Sequence, residues 1–296
     1  MQTKNHIREL LASVGVVPRR KFGQHFLVDQ NLVRLLIDAA QIRSDDVVLE
    51  VGCGTGSITQ LLAERAGRVV TVEIDSVLAG LARSQLAGCD NVELVEADAL
   101  SSKGALNPVV VEAIAGARAQ QPGRLLLVAN LPYDVASALM ANLVKGPVLA
   151  EAMVVTVQKE VADRMEAPPK SKDYGPLSIF LGATGDVQTL RVLKPSVFWP
   201  PPGVDSAVVR FVRDEAKARR IGQMARFSEV VSVFMGHRRK MLRACVKHAP
   251  ETLGDRAGWM EHFERCGIDP RWRPEAVSPA QYVELANLCG RDETDQ

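Results

Sequence analysis

Two hydrogen-bond acceptors and an aromatic ring stand together in Asn130-Leu131-Pro132-Tyr133. Pro132 steers Leu131 into extended backbone and has no N–H of its own, so the Leu131 carbonyl is not absorbed into a helical turn. A side-chain carbonyl beside a main-chain carbonyl, with a ring two residues on, can grip a planar amine and stack on the heterocycle that carries it. Methylation of an adenine amino group needs that set of groups. Taken alone, the tetrapeptide also reads as an ordinary strand-to-helix turn with Asn130 as its cap. The run 125–129 before it is short, continuously apolar and bounded by Gly123 and Pro132, which predicts a central parallel strand ending at Asn130.

The elements upstream give that strand its neighbours. From Val47 apolar strands alternate with amphipathic helices at 47–51, 58–66, 69–74, 77–86 and 92–95. This pattern predicts an α/β fold whose mostly parallel sheet is covered on both faces. The first turn reads Glu50-Val51-Gly52-Cys53-Gly54-Thr55-Gly56-Ser57, a glycine loop that lets backbone approach a ligand at a helix N-terminus. Ser57 stands where a dinucleotide fingerprint requires its third glycine, which disfavours NAD. Gly-x-Gly-x-Gly followed by an acid at the end of the next strand, Glu73, is the arrangement of enzymes that bind S-adenosylmethionine. Gly52 and Gly54 would line the cofactor, Glu73 would take its ribose hydroxyls and Asp98 its adenine amine. Helix capping by Asp75 and a plain surface role for Asp98 are the other readings. Four successive strand ends thus carry Gly52, Glu73, Asp98 and Asn130, and open α/β sheets bind ligands at that edge.

The remaining chain supplies candidate walls. Residues 4–17 predict a short amphipathic helix, and residues 101–123 a spacer that is helical over 109–119. The segment 19–27 interleaves Arg20 and Lys21 with Phe22, His25 and Phe26, as expected of chain between a phosphate backbone and a bound ligand, or of a solvated surface. Residues 168–175 read as an exposed basic loop. Prolines stiffen 197–206, so Phe198 could face Tyr133 across a target base, or could be core. After Asp214 strand signals vanish, predicting a smaller all-helical domain at 214–296 beside a catalytic domain at 1–213. Within 210–247 there are eleven Lys or Arg against three acids. Arg239, Lys240, Arg243 and Lys247 fall at helical spacing on one side, with Met241, Leu242 and Cys245 as apolar contacts, which reads as a phosphate-binding face or a solvated helix. The end, 291–296, reads as a frayed tail.

Composition sets the bounds. The net charge of +1 confines any nucleic-acid surface to a local patch. Five cysteines, odd in number and without a Cys-x-x-Cys pair, support neither a disulfide framework nor a zinc site. No apolar run approaches the roughly 18 residues of a membrane span, and the N-terminus lacks a signal-peptide pattern, so a soluble cytoplasmic protein is expected.

With these residues in place, the chain resembles the bacterial KsgA-type small-subunit ribosomal RNA adenine dimethyltransferases over nearly its whole length. The resemblance rests on 21–27, the glycine loop, Glu73, Asp98, 130–133, Gln158-Lys159-Glu160-Val161, 174–178, 200–207 and Arg238-Arg239-Lys240-Met241-Leu242. It implies a class I S-adenosylmethionine-dependent methyltransferase fold, with S-adenosyl-L-methionine contacts at His25, Leu27, Gly52, Glu73, Asp98 and Asn130. It implies as substrate two adjacent adenosines in the loop of the 3′-terminal helix of 16S ribosomal RNA, each methylated twice, late in small-subunit assembly. Pre-30S particles are the implied partner; a monomer is expected, and the chemistry requires no metal because the alkylated amine loses its proton readily. The family usually has Asn where this chain has His25, Pro where it has Cys53, and a shorter spacer. On this reading Asn130, Leu131, Tyr133 and Phe198 are catalytic, while Arg20, Lys21, Arg238, Arg239, Lys240, Arg243 and Lys247 contact RNA. Three other readings compete: a large-subunit methyltransferase of the macrolide-resistance type, a nicotinamide dehydrogenase, and a non-catalytic RNA-binding assembly factor.

Overall fold

A computed structural model of the chain describes residues 2–18 and 23–289. The strands in chain order are β1 Phe26–Leu27, β2 Val47–Val51, β3 Arg68–Glu73, β4 Val92–Glu96, β5 Leu100–Ser102, β6 Ala105–Leu106, β7 Leu125–Asn130, β8 Ala152–Gln158, β9 Gly185–Leu193, β10 Phe198–Trp199 and β11 Ser206–Arg213. Seven form one sheet in the order β4-β3-β2-β7-β8-β11-β9. Pairing is parallel from β4 through β8, and β11 returns antiparallel to β8. The helices are α1 Lys4–Ser13, α2 Gln30–Ala39, α3 Ser57–Ala63, α4 Ser76–Gln85, α5 Pro108–Gln120, α6 Ala136–Lys145, α7 Lys159–Glu166, α8 Pro176–Thr184, α9 Glu215–Ala218, α10 Met224–Met235, α11 Leu242–Cys245, α12 Arg256–Arg265 and α13 Pro279–Leu288.

The central strands are Val- and Leu-rich because both of their faces are covered. In β2 and β7 every residue before Asn130 is buried. On one face Val48, Val69, Leu126, Val128, Val154 and Val208 pack with Leu32, Leu36, Ile58 and Leu62 of α2 and α3. Each such side chain contributes roughly 1.5–3 kcal/mol by leaving water. α5 packs on β2, β3 and β4 without joining that cluster. At the amino edge Asp46 accepts from Arg124 Nη2 at 2.7 Å and from Arg124 Nε at 3.1 Å, pinning the start of β2 to that of β7. The opposite, carboxyl ends are thereby set side by side.

The chain divides into two compact units, residues 1–162 with 188–212, and residues 163–187 with 213–296. This corrects the expected division at 213, since 163–187 clusters with the C-terminal helices. The reason is packing: α8 buries Leu177, Ile179, Phe180 and Leu181, and it contacts α10 and α13. Phe180 meets Phe227 edge-on at 5.5 Å. In the expected exposed loop, Tyr174 is fully buried and donates its hydroxyl to the Val277 carbonyl at 2.7 Å. Phe234, Trp259, Phe263 and Tyr282 complete the second unit's core. The N-terminal helix stops at Ser13 rather than near Val17, which is 78% exposed. The tail 291–296 lies outside the described residues.

Candidate active site

The first unit holds a cavity at the carboxyl edge of the sheet. His25, Gly52, Gly54, Glu73, Asp98 and Asn130 all line it. Gly52 and Gly54 have φ of +84° and +56°, which side-chain-bearing residues rarely adopt. Space demands glycine as well. A Cβ on Gly52 would meet Pro132 Cγ at 3.1 Å, and one on Gly54 would meet Phe26 Cε1 at 2.7 Å. Glu73 is buried, accepting from Gly54 N at 2.9 Å and Asp75 N at 3.0 Å, and burial raises its carboxyl above the ordinary value. Asp75 caps α4 through Val77 N and Leu78 N. Asp98 is exposed and uses one oxygen on Leu100 N at 2.9 Å.

Asn130 is not a helix cap. Its Nδ2 donates to the His25 carbonyl at 2.7 Å, which orients the amide and leaves Oδ1 without a donor among the described residues. The Leu131 N–H donates to the Thr156 carbonyl at 3.2 Å, while no described donor reaches the Leu131 carbonyl. Two acceptors are therefore free at the end of β7, the Asn130 oxygen through the bond to His25 and the Leu131 carbonyl through the proline that follows it. The Tyr133 ring is half-buried, its hydroxyl paired with Ser206 Oγ at 2.8 Å, and burial raises its pKa. The His25 ring stacks on it with centroids 5.5 Å apart, and Nδ1 of His25 bonds the Pro200 carbonyl at 2.7 Å. Sequence reasoning missed both Ser206 and this stack. They come from segments more than 70 residues from Tyr133, and no local pattern marks them.

Other expectations need correction. Phe198 is not a second face opposite Tyr133: it is 3% exposed, its strand β10 pairs with β1, and its side chain lies in the α2–α3 cluster. Leu27, its β1 partner, is 6% exposed in the same cluster and does not line the cavity. Leu131 and Tyr133 lie beside the cavity rather than in its wall. Arg20 and Lys21 fall outside the described residues. Cys53 is buried with Ala82 and Leu86, and burial, with Glu50 and Glu73 nearby, pushes its thiol well up. In the second unit, Arg239 and Lys240 precede α11 rather than belonging to one helix with Arg243 and Lys247, and Met241 is exposed. Leu242 N and Arg243 N bond the carbonyls of Trp272 and Pro270, so a distant loop fixes where that helix starts. Arg238 pairs with Glu275 at 3.1 Å.

The cavity's charge selects its ligand. Glu73, Asp98 and Asp134 line it, and neither Lys nor Arg is among its described walls. Such a lining would repel a pyrophosphate and suits a cofactor carrying a sulfonium and an ammonium. Strand order, glycine loop and acidic strand end together define a class I S-adenosylmethionine-dependent methyltransferase. A dimethyladenosine transferase from Plasmodium falciparum has a similar structure, with a TM-score of 0.70 at 25% identity over 88% of this chain and 96% of that one. The 23S rRNA methyltransferase ErmE shares the fold, with a TM-score of 0.60 at 23% identity over 90% of this chain and 100% of that one. The chain is 37% identical over 282 residues, 95% of its length and 94% of the relative's, to ribosomal RNA small subunit methyltransferase A of Pelotomaculum thermopropionicum. Its identity to the protein of the same name in Streptomyces coelicolor is 37% over 285 residues, 95% of this chain and 94% of that one. Residues 17–289 match the ribosomal RNA adenine dimethylase family, and the chain belongs to it. Among the described residues no helix is long and apolar enough to cross a membrane, and no group of three metal-ligating side chains occurs.

Proposed function

We propose that the protein dimethylates the exocyclic amines of two adjacent adenosines in the 3′-terminal helix loop of small-subunit ribosomal RNA, acting as a cytoplasmic monomer on pre-30S particles. The observation that carries the reading is the pair of free acceptors, Asn130 Oδ1 and the Leu131 carbonyl, at the rim of an acidic cavity. The names and near full-length similarity of the curated relatives support the small-subunit substrate. Gly52, Gly54, Glu73, Asp98, His25 and Asn130 would hold S-adenosylmethionine, which supplies an already activated methyl group when bound.

An adenine amine is a weak nucleophile because its lone pair is delocalised into the ring. Asn130 and Leu131 would accept its N–H bonds, favour the pyramidal nitrogen and hold the lone pair in line. Tyr133, fixed by Ser206, would stack on the extruded base, and a loop adenosine costs little to unstack. The alkylated amine is acidic, so no side-chain base is needed to remove its proton. Arg20, Lys21, Arg238, Arg239, Lys240, Arg243 and Lys247 would contact the RNA backbone.

The test is mass spectrometry of nucleosides after incubating the purified protein with S-adenosylmethionine and unmethylated small subunits, with large-subunit RNA alongside. Dimethyladenosine in the small-subunit RNA alone is expected. Methylation of the large-subunit RNA would overturn the substrate, and tight binding without transfer would overturn the reaction.

A further inference from the structure

In the second unit two imidazoles that the methyl-transfer chemistry does not use lie against each other. His237 and His248 stack face to face, centroids 3.8 Å apart and planes within 3°. His237 Nδ1 bonds the Val233 carbonyl at 3.0 Å, so that nitrogen carries its proton. Lys240 Nζ lies 3.1 Å from His248 Nε2. An ammonium only donates, so this nitrogen is the acceptor and His248 is neutral. His248 is exposed, Lys240 and Lys247 are close enough for their charges to act on it, and Arg239, Lys240, Arg243 and Lys247 are exposed too. None of these four forms an ion pair with a described residue. Glu275 is taken by Arg238, and Asp269 by Arg271, although Asp269 feels Arg243 at longer range. Desolvation, then the charges of His237, Lys240 and Lys247, hold His248 below the ordinary imidazole value. No carboxylate of α10, α11 or α12, the helices packed against this turn, is among the groups acting on it.

Exposed cations without a carboxylate partner, beside a ring nitrogen that accepts from one of them, suit an anion. We propose that the His237–His248 pair is a proton-coupled phosphate site, at which an RNA phosphodiester draws Lys240 Nζ away from His248 and the ring takes one proton from solvent. The freed Nε2, once protonated, donates to a phosphate oxygen, and the His237 ring lies beneath it as a stacking surface. The anion offsets the like charge that, after desolvation, disfavours the protonated ring. This rests on the second unit being an RNA-contacting surface. It adds that affinity there depends on pH through one named pair.

The test is binding of the full chain to a synthetic RNA hairpin with two adjacent adenosines in its loop, at fixed salt, between pH 8 and pH 6. One linked proton strengthens binding by up to about tenfold per pH unit. The wild type should gain roughly tenfold over the range. His248→Asn should lose that gain. His248→Lys, a permanent cation, should bind at pH 8 as the wild type does at pH 6. Titration calorimetry in two buffers of unlike ionisation enthalpy should show net uptake of protons by the wild type and not by His248→Asn. Tight binding with the same pH dependence in wild type and His248→Asn would overturn the proposal while leaving the RNA surface intact. No binding of the hairpin at any pH would overturn the RNA-surface reading and this proposal with it.

Discussion

Adding one methyl group at Gly54 should disable the cavity through two independent penalties. The residue has φ of +56°, and its added Cβ would sit 2.7 Å from Phe26 Cε1. Left-handed backbone costs a side-chain-bearing residue roughly 1–2 kcal/mol. Forcing a carbon against a packed ring costs roughly 1–3 kcal/mol more. Gly54→Ala should therefore lose roughly 2–5 kcal/mol of stability, or roughly 5–15 °C of Tm in a chain of this size. Phe26 also lines the cavity, so its displacement should weaken S-adenosylhomocysteine binding, measured by titration calorimetry, at least about tenfold. Phe26→Leu in the same chain should relieve the contact and leave the backbone penalty, so the double variant loses less than the sum of the singles by about 1 kcal/mol. Unchanged Tm with unchanged affinity in Gly54→Ala would refute the steric reasoning outright.

Asn130→Ala should abolish methyl transfer in a tritium-transfer assay while hairpin affinity changes less than about twofold; equal loss of both would make the residue structural. Burial, opposed by hydrogen bonds from Thr59 and Thr71 and aided by the Glu73 charge, pushes the Glu50 carboxyl up to about 7. The native chain therefore binds a proton that the unfolded chain releases near the ordinary value of 4.5, so this stability is present below that value and is lost as pH rises through 7. Thermal unfolding should show a loss on the order of 3 kcal/mol between pH 5 and pH 8, absent in Glu50→Gln. Replacing Arg239 and Arg243 by Gln should weaken RNA binding and reduce the log–log salt slope by about 1.5; an unchanged slope would remove both from the interface.

The strand ends were legible because local physics fixes them. Apolar runs bounded by glycine and proline give the strands, and the loop after β2 requires glycines for reasons of φ and space alone. The Leu131 carbonyl stays free because the next residue is proline, which is also local, whereas the Asn130 amide is oriented by the distant His25 carbonyl. What the sequence hid is non-local. Phe198 is core because β10 pairs with β1, some 170 residues earlier in the chain. The spacing of Arg239, Lys240, Arg243 and Lys247 mimics one helix. The carbonyls of Trp272 and Pro270, unreadable from that spacing, start the helix at Leu242 instead. The allegiance of 163–187 depends likewise on α10 and α13, far downstream.

That allegiance has a consequence for synthesis. α8 leaves the ribosome as an almost wholly apolar helix, yet α13, against which it packs, follows only roughly 100 residues later. At about 5–20 residues per second, α8 waits roughly 5–20 s for its last partner. A nascent chain stalled or cleaved near residue 213 would expose Leu177, Ile179, Phe180 and Leu181 together, an aggregation-prone surface and a target for chaperones. Removing the C-terminal helices should therefore yield an insoluble fragment rather than a free catalytic unit, and excising 163–187 along with them is the cut to make.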